Sequence, residues 1–504
     1  MNKFLISEDI ELYVSDKVRQ AGKTTKVLII FDNSGSMGTL YEAQDAFDPN
    51  PLVTYPPEGA AHSYNDTALY FNTGGADGAS SIPASPNDAR RFLGLINGCE
   101  ASKAILAAEG TYTGRIREYS FKGNKGSWNE IPDNNGLNVE VIDCEDDAYT
   151  STVIDGVKVE GGSVQNGQFK DGGLLPLGYP VNYLGTKNSP EYHTTDKDIA
   201  LNPTNAVDWS SGGYVTLYTA KYLRWYYGQN VTKSTRSRLA TAKESITKVI
   251  NSTPSIEFGL EVFNYNEGDG IDDGNGGRIA VGITEMTDTN RASLLDIINN
   301  KVSADTWTPL CESVYEASKY FAGKEVDFGD DDINVGGSYH RNNPPMDTNI
   351  VTDGKYDTPF TKCSSSISHI ILITDGVPTN DHAADDKIKA MTTKVVDPDN
   401  SCELIDKSFE GSPYTPDGSN SYLPALAGWM SNYDINLNQA GAQTVITHTI
   451  GFSDGAAKAI NLLKETARQG QGKFFEAKNG VQLTNALTGI LNFLPPSTNS
   501  LTSA

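Results

Sequence analysis

The sequence predicts an α/β fold built on a doubly wound, mainly parallel sheet, with a large loop- and β-rich insertion. Two runs, KVLIIF (26–31) and SHIILITDG (368–376), are apolar without polar alternation, which is typical of parallel strands covered on both faces. Between 214 and 494, such runs alternate with helical periodicities. Residues 39–213 are instead rich in Gly, Asn, Asp, Pro and Ser, which predicts an inserted subdomain.

The core elements follow from their local patterns. Ser234 is a candidate N-cap for one helix, and Pro309 and Gly323 bound another. Strands are predicted at 26–31, 255–263, 277–284, 368–376, 442–452 and 472–477. Helices are predicted at 215–227, 234–252, 290–301, 308–323, 421–432, 456–469 and 480–493.

The composition changes along the chain give the domain boundaries. The insertion begins directly after a polar turn and contains short strands such as NVEVID (138–143). The Pro/Ser/Thr-rich end of the chain is predicted to link to a further C-terminal domain. The predicted organisation is an α/β core over 1–38 and 214–494 with excursions at 324–366 and 396–418, an inserted subdomain over 39–213, and a linker over 495–504.

The bulk composition excludes some functions. The 504 residues carry a formal net charge of -24, which argues against binding nucleic acid or anionic lipid through a basic face. This acidity suits a protein that meets divalent cations or basic partners, and general solubility explains it equally well. No run approaches the ~20 apolar residues of a transmembrane helix, and the first residues lack the core of a signal peptide. A secreted protein with this sequence would be in its mature form.

The sequence also predicts that the protein is not an enzyme. Its six histidines form no H-E-x-x-H pattern, and DNSGSMG is not a G-x-S-x-G nucleophile turn. There is no glycine-rich phosphate loop with a lysine, and no pairing of a nucleophile with a base is evident in the sequence.

The five cysteines do not form a C-x-x-C pattern, so a structural zinc site is not expected. For an exported protein, Cys99 with Cys144 and Cys363 with Cys402 are candidate disulfides. A disulfide between Cys99 and Cys144 would close a loop of about 45 residues. Such a cross-link stabilises the folded state by roughly 4 kcal/mol in the chain-entropy model. Cys311 lies among apolar residues and is predicted to be a buried thiol. The alternative, five reduced and buried thiols, stays open.

Oxygen-bearing side chains follow the two apolar strands. Asp32 and Asp375 each come directly after such a strand, and Ser34 and Ser36 lie on the next turn. In an open parallel sheet, ligands bind outside the carboxyl ends of the strands, so these groups are expected to converge. With the hydroxyl of Thr308, they form a set of hard oxygen ligands that suits Mg²⁺ best, then Mn²⁺ or Ca²⁺.

Two alternatives to this metal site remain. The serines and Thr308 are also suited to capping helices, in which case no metal is involved. Thr306 is a second candidate for the threonine ligand.

The spacing D-x-S-x-S at 32–36, followed by Thr308 in WTPLCE and Asp375 in LITDG, resembles the metal-ion-dependent adhesion site of von Willebrand factor A domains. The resemblance implies a Rossmann-like α/β domain. It also implies that Ser34 and Ser36 bind the metal directly, and that the aspartates bind it largely through water. A carboxylate from a host ligand, a pilin or the insertion itself would complete the coordination of the metal. Because the insertion starts at the motif, we expect it to shield or shape this site.

A second resemblance covers most of the chain. Segments such as TWTPLCESVYEASKYF, ILITDGVPTND and SYLPALAGWM are similar to the N-terminal region of the PilY1/PilC family, the tip-associated adhesins of bacterial type IV pili. The resemblance implies a metal-dependent adhesion domain at the pilus tip or outer membrane. Its roles would be surface or host attachment and pilus biogenesis, with minor pilins as partners. The alternative is a structural priming or capping factor in which the metal only stabilises the fold.

One further acidic pattern has calcium-loop spacing. Asp330, Asp332 and Asn334 alternate in DDDINVGG, but Gly336 falls one place late and no Glu closes the loop. These three residues are a candidate second calcium site, and a solvated acidic loop is the alternative.

Overall fold

The structure is a computed structural model of the whole chain. It describes residues 25–494, with gaps at 58, 74–81, 123–124, 132–138, 149–150, 155–156, 161–178, 187–188, 194–208, 210–212, 229–230, 265–275, 331–332, 336–337, 341–342, 361–365, 380, 398–399 and 419. Statements about the structure below concern these residues.

The strands are numbered in chain order. They are β1 (Thr25–Phe31), β2 (Leu40–Gln44), β3 (Ala68–Asn72), β4 (Arg91–Leu93), β5 (Thr111–Gly114), β6 (Ile116–Lys122), β7 (Lys125–Glu130), β8 (Val139–Cys144), β9 (Ser151–Ile154), β10 (Val157–Glu160), β11 (Tyr179–Thr186), β12 (Ser189–His193), β13 (Val215–Thr219), β14 (Lys233–Ser237), β15 (Ile256–Phe263), β16 (Gly277–Thr284), β17 (Ile333–Val335), β18 (Ser338–His340), β19 (Val351–Thr352), β20 (Lys355–Tyr356), β21 (Ser366–Thr374), β22 (Thr392–Asp397), β23 (Asn400–Ser408), β24 (Gln443–Phe452) and β25 (Gln471–Ala477).

The helices are numbered in the same way. They are α1 (Glu100–Glu109), α2 (Glu145–Ala148), α3 (Ala220–Tyr227), α4 (Arg238–Ser252), α5 (Asp288–Asn300), α6 (Leu310–Ala322), α7 (Asp385–Lys389), α8 (Leu423–Asn432), α9 (Ile460–Gln469) and α10 (Gly480–Phe493). Within the described ranges, none of them combines the length and apolar character needed to cross a bilayer.

The core is a six-stranded sheet in the order β16-β15-β1-β21-β24-β25. Its strands are parallel except β16, which pairs with β15 in the antiparallel direction. Alternate residues of β1 enter two separate apolar clusters, so this strand is buried on both faces. Helices α4, α5 and α10 pack on one face, and α6, α8 and α9 pack on the other. The chain is therefore a mixed α/β protein with a mostly parallel sheet, as the apolar strand patterns predicted.

Two segments predicted as continuous helices, 215–227 and 234–252, each begin as a strand. Strand β13 pairs with β3 and β5 in a four-stranded sheet of the insertion. Val215 and Leu217 enter one apolar cluster and Tyr218 another, which is the two-residue period of a strand. These side chains gain their packing from strands far away in the sequence, and that tertiary pairing overrides the local helical pattern.

In the second of these segments, β14 pairs with β2 and helix α4 starts afterwards. The helix is capped by Ser237, whose hydroxyl accepts the N–H of Ala240 at 3.0 Å. Ser234, the predicted cap, instead donates its hydroxyl to Asp45 at 2.6 Å. The antiparallel pair β2–β14 forms a stem through which the insertion leaves and rejoins the core.

The insertion departs beside the metal motif, but its described part packs along α4 towards the opposite edge of the sheet. The hydroxyl of Tyr214 donates to Thr25, the first residue of β1, at 3.2 Å. Asn251, near the end of α4, donates to Glu109 of the insertion at 3.1 Å. The described part of the insertion beyond the stem therefore does not shield the metal edge, and the stem is the described part that is placed to shape it.

The insertion contains a disulfide between Cys99 and Cys144, both buried in its apolar cluster. Cys311 is a free, buried thiol on α6. Cys363 lies outside the described residues, so the candidate pair Cys363–Cys402 is not tested.

Two histidines face each other inside the core sheet. His369 Nδ1 and His448 Nε2 are 3.3 Å apart, and His448 Nδ1 accepts the N–H of Lys473 at 3.1 Å. Burial lowers the pKa of His369 to about 3. Burial and the neighbouring His369 lower the pKa of His448 well below its ordinary value. Both rings are therefore neutral in the folded protein.

We predict that this pair makes the protein less stable in acid. Because the histidine pKa values are depressed on folding, their contribution is complete above the unfolded value of ~6.5 and is lost as the pH falls below it. Between pH 7 and 5, chemical denaturation should show that the free energy of unfolding of wild type falls relative to His369→Asn by about 1–2 kcal/mol.

The control for this prediction is His382→Asn, because the His382 side chain is 60% exposed. Its pH profile should follow that of wild type. Parallel profiles for wild type and His369→Asn would contradict the prediction.

Candidate metal centre

The two aspartates of the motif meet because their strands are neighbours. Strands β1 and β21 run parallel, with Phe31 opposite Ile373. Asp32 directly follows β1, and Asp375 directly follows β21. The backbone N–H of Asp32 donates to the carbonyl of Ile373 at 3.0 Å. Both carboxylates therefore lie at the carboxyl edge of the sheet.

Asp32 ties the two strand ends together. Its Oδ1 accepts the N–H of Ser34 at 2.7 Å, which shapes the turn after β1. Its Oδ2 accepts the hydroxyl of Thr374 at 2.6 Å and the N–H of Asp375 at 3.2 Å. The side chain is fully buried. Burial, and secondarily the negative charge of Asp375, raise the pKa of Asp32 to about 6.

The residue between the ligands, Asn33, anchors the turn to the rest of the edge. Its side chain accepts the N–H of Phe263 at the end of β15 at 2.8 Å. Its backbone carbonyl accepts the N–H of Asp305 at 3.0 Å, and Gly35 N–H donates to the carbonyl of Thr306 at 2.9 Å. The turn is thus fixed to β15 on one side and to the segment before α6 on the other.

The hydroxyl groups complete the cluster. Ser34 Oγ and Ser36 Oγ are 2.9 Å apart, and Ser36 Oγ donates to Asp375 Oδ1 at 2.5 Å. A Cβ placed on Gly376, the residue after Asp375, would lie 3.8 Å from Ser36 Oγ and 3.9 Å from Thr308 Oγ1, so both hydroxyls border this glycine. The structure therefore brings together all five residues that the sequence motif singled out.

The choice between the two threonines is clear in the structure. The hydroxyl of Thr306 donates to the carbonyl of Trp307 at 3.0 Å. Thr308 is held by Thr379, whose hydroxyl accepts the N–H of Thr308 at 3.1 Å and whose N–H donates to the Thr308 carbonyl at 3.1 Å. Thr308 is the threonine that lies with Ser36.

The capping alternative does not account for these hydroxyls. Ser34 precedes a short 3₁₀ turn at Gly35–Gly38, but its side chain makes no capping hydrogen bond there. The residue before α6 is Pro309 rather than Thr308. The N–H groups of Cys311 and Glu312 at the start of α6 donate instead to the buried carboxylate of Asp381 at 2.8 and 3.1 Å.

Arg238, the first residue of α4, belongs to this site and was missed in the sequence. Its guanidinium donates to Asp375 Oδ2 at 2.8 Å, and the Asp375 side chain is fully buried. Its backbone N–H donates to the carbonyl of Thr39 at 3.0 Å, so the arginine is fixed beside the motif. The site therefore contains two carboxylates and one permanent cation. No local signal distinguished this arginine from a surface residue at a helix start.

The spacing of the oxygens fits a small, hard cation. Adjacent ligands of an octahedral Mg²⁺ lie about 3 Å apart, because each is ~2.1 Å from the ion. The two serine hydroxyls are hydrogen-bonded at 2.9 Å, and this hydrogen-bond distance equals the separation of two adjacent ligands. In the part of the chain that is described, no three His, Cys, Asp or Glu side chains are arranged to hold a metal. The candidate site has two carboxylates and relies on hydroxyls for the rest.

The other acidic candidate is not assembled in this way. Asp330 lies in an exposed turn. Asp332 lies outside the described residues, and of Asn334 the backbone alone is described, within β17. The candidate calcium loop of Asp330, Asp332 and Asn334 is therefore untested.

Comparison with known proteins adds one similarity. Residues 68–228 match the model of a domain of unknown function, DUF8355. No curated protein matches the chain. The matched segment runs from the start of β3 to just past α3, so it includes β13 and lies apart from the candidate metal residues.

We predict that Thr308→Val weakens Mg²⁺ binding at least about tenfold, because it removes one oxygen ligand and keeps the side-chain shape. Isothermal titration calorimetry on chelator-treated protein measures this change. Thr306→Val is the matched control and should bind Mg²⁺ as wild type does. Equal losses in the two variants would contradict the assignment of Thr308.

We also predict that Arg238→Gln strengthens Mg²⁺ binding several-fold, because Asp375 then lacks its buried cationic partner. The same change should destabilise the metal-free protein by about 3 kcal/mol in chemical denaturation. Arg236→Gln is the control, since Arg236 pairs with Glu244 away from the motif. Weaker Mg²⁺ binding by Arg238→Gln would instead show that the arginine positions Asp375 for the metal.

Proposed function

We propose that this chain is a metal-dependent binding domain with a von Willebrand A-like, doubly wound core, and that it mediates attachment at the tip of a type IV pilus. The observation that carries the proposal is the convergence of Asp32, Ser34, Ser36, Thr308 and Asp375 at one edge of the sheet. Helices on both faces of a mostly parallel sheet, with polar groups outside its carboxyl edge, support this core architecture.

The residues divide into direct ligands and positioning residues. Ser34, Ser36 and Thr308 offer hydroxyl oxygens to Mg²⁺, or to Mn²⁺ or Ca²⁺ in its place. Asp32 has both oxygens engaged by donors of the turn and of β21, so it holds the site in shape and reaches the ion through water. Bound metal would supply a coordination position that a carboxylate of the partner completes.

Apolar side chains surround this edge. Leu40 is 65% exposed, Trp307 41% and Val377 38%. Leu40 begins β2 shortly after the turn that holds Ser34 and Ser36, and Trp307 and Val377 lie within two residues of Thr308 and Asp375. Exposed apolar groups around a polar centre are typical of binding surfaces. We therefore propose a protein partner that offers a carboxylate flanked by apolar side chains.

The pilus assignment rests on the resemblance of the sequence to the tip-associated adhesins. A disulfide within the insertion supports an oxidising, extracellular location. On this proposal the chain acts at the cell surface or outer membrane, in attachment and in pilus biogenesis, with minor pilins among its partners.

A structural role is the second candidate. Asp32 already joins β1 to β21, and Arg238 already balances Asp375, so the motif contributes to the fold in the absence of a partner. In that case the chain would prime or cap the pilus by binding minor pilins, and the metal would only stabilise it.

Ser36→Ala separates the two functions. Ser36 is exposed and contributes a ligand, so its loss should spare the fold. Cells that carry the full-length variant should keep normal numbers of pili by electron microscopy and lose most of their attachment to a surface that wild-type cells colonise. Loss of the pili themselves would favour the structural role.

Two further variants sharpen this experiment. Ser303→Ala removes a nearby hydroxyl that donates to Asp305, and it should behave as wild type. Trp307→Ala should reduce attachment while leaving Mg²⁺ affinity unchanged, because the ring lies beside the site without being a ligand. Attachment that survives both Ser36→Ala and Trp307→Ala would contradict the adhesion proposal.

A further inference from the structure

A buried carboxylate on the core sheet lacks any partner among the described residues. Glu261 lies on β15, opposite Ile30 of β1, and its side chain is fully buried. Within the described chain, neither of its oxygens has a hydrogen-bond partner. Burying a carboxylate costs several kcal/mol or more unless it is paired, so this group requires a compensating interaction.

A second buried carboxylate, Glu316 on α6, acts on Glu261. The negative charge of Glu316 and burial both raise the pKa of Glu261, burial being the larger cause. Glu316 accepts several hydrogen bonds from its neighbours. It accepts the hydroxyl of Tyr356 at 2.6 Å and the N–H of Phe328 at 2.9 Å, with longer hydrogen bonds from Asp327 and Gly329. Burial raises the pKa of Glu316 to about 7, although the donors on Tyr356, Phe328 and Asp327 lower it. Glu261 and Glu316 are thus two buried carboxyl groups that lack a compensating cation among the described residues.

Two glycines make room for this pair. A Cβ on Gly277 would lie 2.5 Å from Glu261 Oε1 and 2.8 Å from Ser313 Oγ. A Cβ on Gly329 would lie 3.0 Å from Glu316 Oε1 and would overlap the hydroxyl of Tyr356. Side chains other than glycine at either position would fill the space next to the carboxylates. Glycine at these two positions therefore keeps the space beside the carboxylate oxygens free of a side chain.

Basic side chains in the described part of the chain do not neutralise the pair. The nearest in sequence, Arg278 on β16, donates to the carbonyl of Phe263 at 2.7 Å and to Asn264 Oδ1 at 3.0 Å. Neither Glu261 nor Glu316 forms an ion pair with a described Lys, Arg or His. A proton shared by the two carboxyl groups is the alternative to a cation, and the experiment below distinguishes the two.

We propose that Glu261 and Glu316 hold a calcium ion between β15 and α6, with the hydroxyls of Ser313 and Tyr356 beside it. A divalent cation supplies the charge that both carboxylates lack. The oxygens are hard ligands, which excludes the softer metals that prefer Cys or His. Ca²⁺ accepts irregular sets of carboxylate and neutral oxygens, whereas Mg²⁺ requires a near-ideal octahedron. This site is separate from the candidate metal centre and does not rest on the proposed function.

The site is tested by calcium titration of the full chain after chelator treatment, in the Ser36→Ala background that disables the candidate metal centre. We expect isothermal titration calorimetry to show binding of one calcium ion, and Glu261→Gln to abolish it or weaken it at least about a hundredfold. Glu257→Gln is the matched control. It changes the same residue type on the same strand, but Glu257 already pairs with Lys26.

Several results would overturn the proposal. Calcium binding that is unchanged in Glu261→Gln, or lost equally in Glu257→Gln, would do so. If Glu261→Gln does not fold, the Ser36→Ala protein itself decides the question. It should retain about one calcium per chain by atomic emission after dialysis and should melt at a lower temperature in chelator. If the protein retains no calcium and its melting temperature is unchanged in chelator, the two carboxyl groups share a proton or a water molecule instead.

Discussion

The carboxylate of Asp32 is the group on which the candidate metal centre depends. It lies at the end of the central strand and accepts hydrogen bonds from Ser34, Thr374 and Asp375, so one buried side chain fixes two loops from distant parts of the sequence. Three donors offset the cost of burying it. Because these bonds orient the turn, the hydroxyls of Ser34 and Ser36 face Asp375 before any ion is present.

The insertion influences this edge through its stem. Strands β2 and β14 end at the motif on one side and at α4 on the other, so the stem delivers Arg238 to Asp375. The N–H of Arg238 bonded to Thr39 ties the two ends of the stem together. The described remainder of the insertion packs elsewhere along α4, so the stem is the described part of it that meets the site. The ion pair between Arg238 and Asp375 thus lies where the stem of the insertion meets the core.

The sequence predicted the structure best where an element is determined by residues that are neighbours in the chain. The apolar runs 27–31 in β1 and 370–373 in β21 predicted two buried parallel strands, and the oxygens that follow them converge because these strands are neighbours. Strands β13 and β14 were predicted as helices because their partners lie more than a hundred residues away, and Ser237 replaced Ser234 as a cap for the same reason. The roles of Arg238 and Glu261 could not be predicted from the sequence, because they depend on which helix and strand faces meet in the folded protein. An arginine at a helix start is normally exposed, and a glutamate in a strand normally faces water.

Helix α6 connects the two places where cations are proposed. Thr308 lies two residues before its first residue and Glu316 about two turns further on, while Asp381 holds its first N–H groups. The helix also packs on β16 and β15 through Tyr320, Val314 and their neighbours in the apolar cluster. An ion at Glu316 would neutralise charge beneath the helix and fix its distance from the sheet. Thr308 is held by Thr379 just before this helix, so the helix carries a residue of the exposed edge at its start and a residue of the buried acidic pair further along.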